Sequence, residues 1–168
     1  LEFYKAEMQA CLTGKADLKQ AIPPYITTWN YPGDANDLVE EWCAYENDPE
    51  DEVLDIVEAL RNQGTPCYLV TDNEKYRTKY MEDKMGFAEK FDQVFSSCYL
   101  GVKKDDPQYF ELVLSELDLD AEEVLLVDDK TENVATAKSL GIHTILYKDV
   151  DQFMSALEKH GFEDVEFE

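Results

Sequence analysis

Positive charge is scarce in this chain. Against 38 Asp and Glu it carries 15 Lys and Arg, so its 168 residues have a formal charge of −23 at pH 7. A polyanion of this kind repels phosphate backbones and anionic lipid, which argues against nucleic acid and membrane surfaces as partners. Long apolar runs are missing too. None approaches the ~20 residues of a membrane span, and no signal-peptide pattern opens the chain at Leu1. The four cysteines (Cys11, Cys43, Cys67 and Cys98) lie far apart, without the C-x-x-C spacing of a metal or redox site. Two of them sit in or beside apolar, strand-like runs, where cysteine behaves as a small hydrophobe. Structural thiols and a reducing, cytoplasmic compartment are therefore expected. The histidines His143 and His160 are placed for solvated or structural roles.

What remains is ample for one core, since 44% of the residues are hydrophobic. The front of the chain reads as short helices broken by turns. Phe3 to Leu12 ends at Gly14, Asp17 can cap the next helix, and Pro23-Pro24 interrupts the pattern. After the turn at Tyr31-Pro32-Gly33-Asp34, Leu38, Trp42 and Tyr45 mark one apolar face of a helix over 37–45. From about residue 48 the texture alternates. Helices are expected from Asp48-Pro49 to Gly64, over 75–85, from Asp106-Pro107, over 131–140 and around Phe153-Met154-Leu157. Apolar strands are expected at 67–70, 94–95, 124–127 and 144–147. Strands alternating with helices imply right-handed crossovers and an open parallel sheet sandwiched by helices, an α/β fold of Rossmann type. Residues 1–47 read as a small N-terminal helical cap and residues 48–168 as the α/β core. The acidic end from Glu163 to Glu168 is expected to be solvated.

Ligands of an open parallel sheet bind beyond the carboxyl ends of its strands. Thr71-Asp72-Asn73 follows the first strand and Asp128-Asp129 follows the third. Between them stands Gly101-Val102-Lys103-Lys104-Asp105-Asp106-Pro107. Adjacent carboxylates in a half-buried crevice suit a hard, oxygen-seeking cation such as Mg²⁺. A lysine there neutralises phosphoryl oxygens, and a threonine hydroxyl with the first N–H groups of the next helix can hold an anion. The plainer alternative is that the aspartate doublet caps the helix beginning near Thr131.

These motifs carry a resemblance. Val127-Asp128-Asp129-Lys130-Thr131-Glu132-Asn133 is similar to the fourth motif of the haloacid dehalogenase superfamily, Gly101 to Phe110 to its third, and Leu69 to Asn73 to its second. Order and spacing fit over roughly residues 48–157. The resemblance implies phosphoryl transfer to an aspartate followed by hydrolysis of the aspartyl-phosphate, with Mg²⁺ as cofactor and a small phosphorylated metabolite as substrate. It assigns catalytic roles to Thr71, Lys104 and Asp128, phosphate or substrate binding to Thr71, Asn73 and Lys104, and metal binding to Asp129 directly with Asp128 behind it. Asn73 and Asn133 would orient those groups.

The first motif, D-x-D-G-x-T/V, has no counterpart. Asp118-Leu119-Asp120 and Asp149-Val150-Asp151 have the D-x-D spacing, but the second continues into Gln152-Phe153 and suits a helix start. In the family the missing strand lies between those ending at Thr71 and Asp128, so the expectation is a parent protein that has it; direct pairing of those two strands would exclude this. Asp72 stands where Asn is usual and Asp105 where Pro is usual. The alternative function is a non-catalytic binding or regulatory domain of the same fold. A dehalogenase would leave the doublet unexplained, and a phospho-receiver would place its acidic pair before the threonine and lysine.

Overall fold

The computed structural model describes residues 3–162 and 165; all but Val165 of the acidic end at 163–168 lies outside them. A π-helical turn at Tyr4–Met8 leads into α1 (Gln9–Leu12), α2 (Leu18–Ala21), α3 (Pro23–Ile26), α4 (Ala35–Tyr45) and α5 (Asp51–Asn62). Then follow β1 (Tyr68–Thr71), α6 (Lys75–Asp83), α7 (Phe87–Lys90), β2 (Gln93–Ser96) and α8 (Ser97–Leu100). The chain ends with α9 (Pro107–Leu117), β3 (Leu125–Asp128), α10 (Thr131–Ser139), β4 (His143–Leu146) and α11 (Val150–Lys159). No described helix is long and apolar enough to cross a membrane.

Two compact units result, one of residues 1–49 and 68–103, the other of 50–67 and 104–168. In the first, β1 and β2 pair in parallel, with Thr71 opposite Ser96. Its core gathers Met8, Cys11, Leu18, Ile22, Val39 and Cys43 from the front helices, with Tyr76 and Tyr80 of α6 packed against them. Local rules start the helices here. The Asp17 carboxylate accepts from the Lys19 N–H, and Asp34 and Asp37 form a reciprocal capping box at α4. The Arg77 guanidinium donates to the carbonyls of Cys43 and Glu46, at the carboxyl end of α4, and so fastens that helix to α6.

In the second unit β3 and β4 pair in parallel, with Asp128 opposite Leu146. Ile56 and Leu60 of α5 bury against Ile145, Phe153 and Leu157. Asp106 caps α9, Pro107 occupies its first turn, and Asp149 caps α11. The helix expected from Asp48-Pro49 begins only at Asp51, because Glu50 is extended and its carboxylate accepts from the Tyr147 hydroxyl. The pairing of β1 with β3 that would exclude an intervening strand is not found among the described residues.

Candidate active site

In the first unit the candidate residues sit at the carboxyl end of β1. Thr71, nearly buried, is the last residue of the strand. The Asn73 side-chain amide donates to its hydroxyl oxygen at 2.7 Å, so the two expected phosphate-side residues do meet. Accepting from Asn73 leaves the O–H of this hydroxyl able to donate. The Asn73 backbone is itself held: the fully buried Ser96 hydroxyl donates to its carbonyl at 3.0 Å, and Thr78 lies 2.7 Å from Ser96. The loop after β1 is thereby pinned to the end of β2.

Two of the N–H groups that open α6, expected to be open to an anion, are taken by a side chain instead. The buried Glu74 carboxylate accepts from the N–H groups of Tyr76 and Arg77 at 2.8 and 2.6 Å. Burial pushes this carboxyl above the ordinary glutamate range, and the two backbone hydrogen bonds offset only part of that effect.

In the second unit Asp128 ends β3 and is almost fully buried. Lys104 donates to one carboxylate oxygen at 2.7 Å, and the Lys130 N–H donates to the other at 2.9 Å. Asn133, from the first turn of α10, reaches both oxygens at 3.1 and 3.2 Å. Burial alone would raise the Asp128 pKa, but the Lys104 charge and these hydrogen bonds outweigh it and hold the carboxyl below the usual aspartate range. A buried ion pair at a strand end, fully hydrogen-bonded, is a fixed charge arrangement rather than a solvated face. Asp129, the next residue, is exposed. The capping alternative for the doublet fails, since the residue flanking α10 is Lys130 and the helix has no side-chain cap.

Thr71 with Asn73, and Lys104 with Asp128 and Asn133, are thus two preorganised pieces, each within its own unit. A family model of haloacid dehalogenase-like hydrolases matches residues 6–147. The chain belongs to that family. It is 30% identical over 94 residues to a sesquiterpene phosphatase of Aspergillus oryzae, covering 56% of this chain and 48% of that protein. To a glyceraldehyde 3-phosphate phosphatase of Pyrococcus abyssi it is 29% identical over 90 residues, covering 53% and 38%. The chain thus spans about half, or less, of the length of these relatives. A haloacid dehalogenase family enzyme of Bacteroides thetaiotaomicron, solved with magnesium and inorganic phosphate, superposes with a TM-score of 0.75 at 18% identity, over 88% of this chain and 78% of that one. The fold is accordingly the α/β fold of haloacid dehalogenase-like proteins.

Sequence reading of this haloacid dehalogenase-like chain missed Glu74, Thr78 and Ser96. Glutamate is not among the favoured helix caps, which hid Glu74. A serine after the apolar pair Val94-Phe95 looks like the start of a loop, whereas Ser96 still pairs within β2. The two D-x-D strings are structural: Asp118 takes a left-handed conformation at the end of α9, and Asp149 caps α11.

Proposed function

We propose that this chain serves Mg²⁺-dependent hydrolysis of small phosphate monoesters through an aspartyl-phosphate, with residues 1–47 as cap and 48–168 as core. The observation that carries the reading is the buried Lys104–Asp128 pair held by Asn133. The phosphatase names of the Aspergillus and Pyrococcus relatives, and the magnesium and phosphate of the Bacteroides structure, support it. A cytoplasmic setting belongs to the same reading and agrees with four cysteines that form no disulfide among the described residues.

In this reading the Thr71 hydroxyl donates to a phosphoryl oxygen, and Asn73 fixes the rotamer from which it does so. Lys104 neutralises charge that builds up on phosphoryl transfer, in an orientation set by Asp128. Neither D-x-D string provides the nucleophile.

Among the described residues no group of three or more His, Cys, Asp or Glu is placed to hold a metal. That does not conflict with Mg²⁺, which is commonly held by one or two carboxylates together with substrate phosphate and water. The donor chemistry of the doublet fits: Asp129 is exposed and would ligate the ion, while Asp128, committed to Lys104, would act behind it. Bound there, Mg²⁺ would offset negative charge on the phosphoryl oxygens.

The test is hydrolysis of p-nitrophenyl phosphate by the full-length protein, with Mg²⁺ and with EDTA. Turnover should require the metal, and Lys104→Ala should lower kcat by about 100-fold or more. Mg²⁺ binding without hydrolysis of any phosphomonoester would replace this reading with a non-catalytic binding domain.

A further inference from the structure

Within the first unit a pocket of about 110 Å³ opens beside the loop that follows β1, with Asp72 and Asn73 in its wall. We propose that it receives the organic part of the substrate, and that this part is a branched hydrocarbon group without a second negative charge; the proposal rests on the phosphatase reading above. Four features of the pocket argue for this occupant.

Most of the wall is hydrocarbon, from Met8, Leu12, Leu18 and Val39 together with the Trp42 ring. Three of its four charged members are held by bonds within the protein. The Glu74 carboxylate accepts from two backbone N–H groups, Glu46 accepts from the Trp42 indole, and Arg77 donates to two helix-end carbonyls. A polar ligand would have to displace those bonds, whereas an apolar one gains by leaving water. Size sets a limit, because an engineered cavity of ~150 Å³ takes up benzene. The present one is smaller and suits a group of about five carbon atoms.

Charge supplies the exclusion. Glu46, Asp72 and Glu74 face the pocket with Arg77 as the single positive partner, so a carboxylate or a second phosphate on the ligand would meet like charge. Position supplies the connection. Asp72 and Asn73, both in the chamber wall, directly follow Thr71, and the Asn73 amide donates to the Thr71 hydroxyl, so the chamber adjoins the residue assigned to the phosphoryl group.

The experiment compares kcat/KM of the full-length protein for 3-methylbutyl phosphate, glycerol phosphate and 3-phosphoglycerate. Expected is a preference of at least about 10-fold for the branched ester over glycerol phosphate, and a larger one over 3-phosphoglycerate. Leu12→Phe, which fills the chamber, should reduce the first ratio about tenfold, and Val39→Ala, which enlarges it, should shift preference to longer branched esters. Equal or reversed preference in an active enzyme overturns the pocket assignment and leaves the phosphatase reading standing. If no ester is hydrolysed, the phosphatase reading falls. The pocket is then judged by titrating 3-methylbutyl phosphonate against Trp42 fluorescence in a Trp29→Phe background. Saturable quenching that Leu12→Phe abolishes supports it, and no response overturns it.

Discussion

The ammonium of Lys104 lies 2.7 Å from the carboxylate of Asp128, with only 12% and 3% of the two side chains exposed. A pair this dry is costly to assemble and costlier to break, because removing either member strands a buried charge. Lys104→Met should therefore destabilise the fold by about 3–5 kcal/mol, and Asp128→Leu by a similar amount. The double variant should lose clearly less than the sum. Urea unfolding of the four proteins measures the coupling, and strict additivity would show that the pair contributes nothing jointly.

Acid should expose the same pair. The Asp128 carboxyl titrates below its unfolded value of ~3.9, so the unfolded chain takes up the proton first. The stabilisation is complete above that value and is lost as pH falls through the folded pKa. Thermal unfolding from pH 7 to pH 2 should show wild type and Asp128→Asn converging below about pH 4. A constant gap would contradict the assignment.

Glu74 should show the opposite slope. Its folded pKa is raised, so its contribution is present below the unfolded value of ~4.3 and is lost as pH rises through the folded one. Glu74→Gln keeps an oxygen for the Tyr76 and Arg77 N–H groups but removes the buried charge. Its stability relative to wild type should improve from pH 4 to pH 7. Glu74→Ala, which loses the cap, should cost about 1 kcal/mol.

Gly14 should resist substitution on two independent grounds. Its φ is +67°, and a Cβ built there would lie within 2.3 Å of the Cys98 carbonyl oxygen. The left-handed conformation alone costs an alanine about 1–2 kcal/mol, and the backbone contact adds to it. Chemical denaturation of Gly14→Ala should show a loss above that range, while Gly64→Ala, with open space at its Cβ, should show the conformational cost alone.

Much of this was legible in the sequence, and the misses share a cause. Every expected strand was found, yet three of them run one residue past the last apolar side chain, to Thr71, Ser96 and Asp128. Strand pairing is made by the backbone and is indifferent to the side chain, so a search for apolar runs stops one residue short of where the site begins. The Lys104–Asp128 contact was foreshadowed by strand-end logic. The sealing of the α6 N-terminus by Glu74 was not, since it depends on the carboxylate turning back over its own helix. Gly14 reads as a helix terminator, and it is one. Its approach to Cys98, 84 residues later, is a tertiary fact that no local pattern carries.

The position of α5 also bears on how the chain is made. Ile56 and Leu60 bury against Ile145, Phe153 and Leu157, roughly 90 to 100 residues further on. A ribosome adding about 5–20 residues per second reaches those partners some 5–20 s after completing the helix. The last residue of the first unit, 103, is added about halfway through that interval. Nascent α5 therefore waits with an unburied apolar face, open to chaperone capture, until its partners are made.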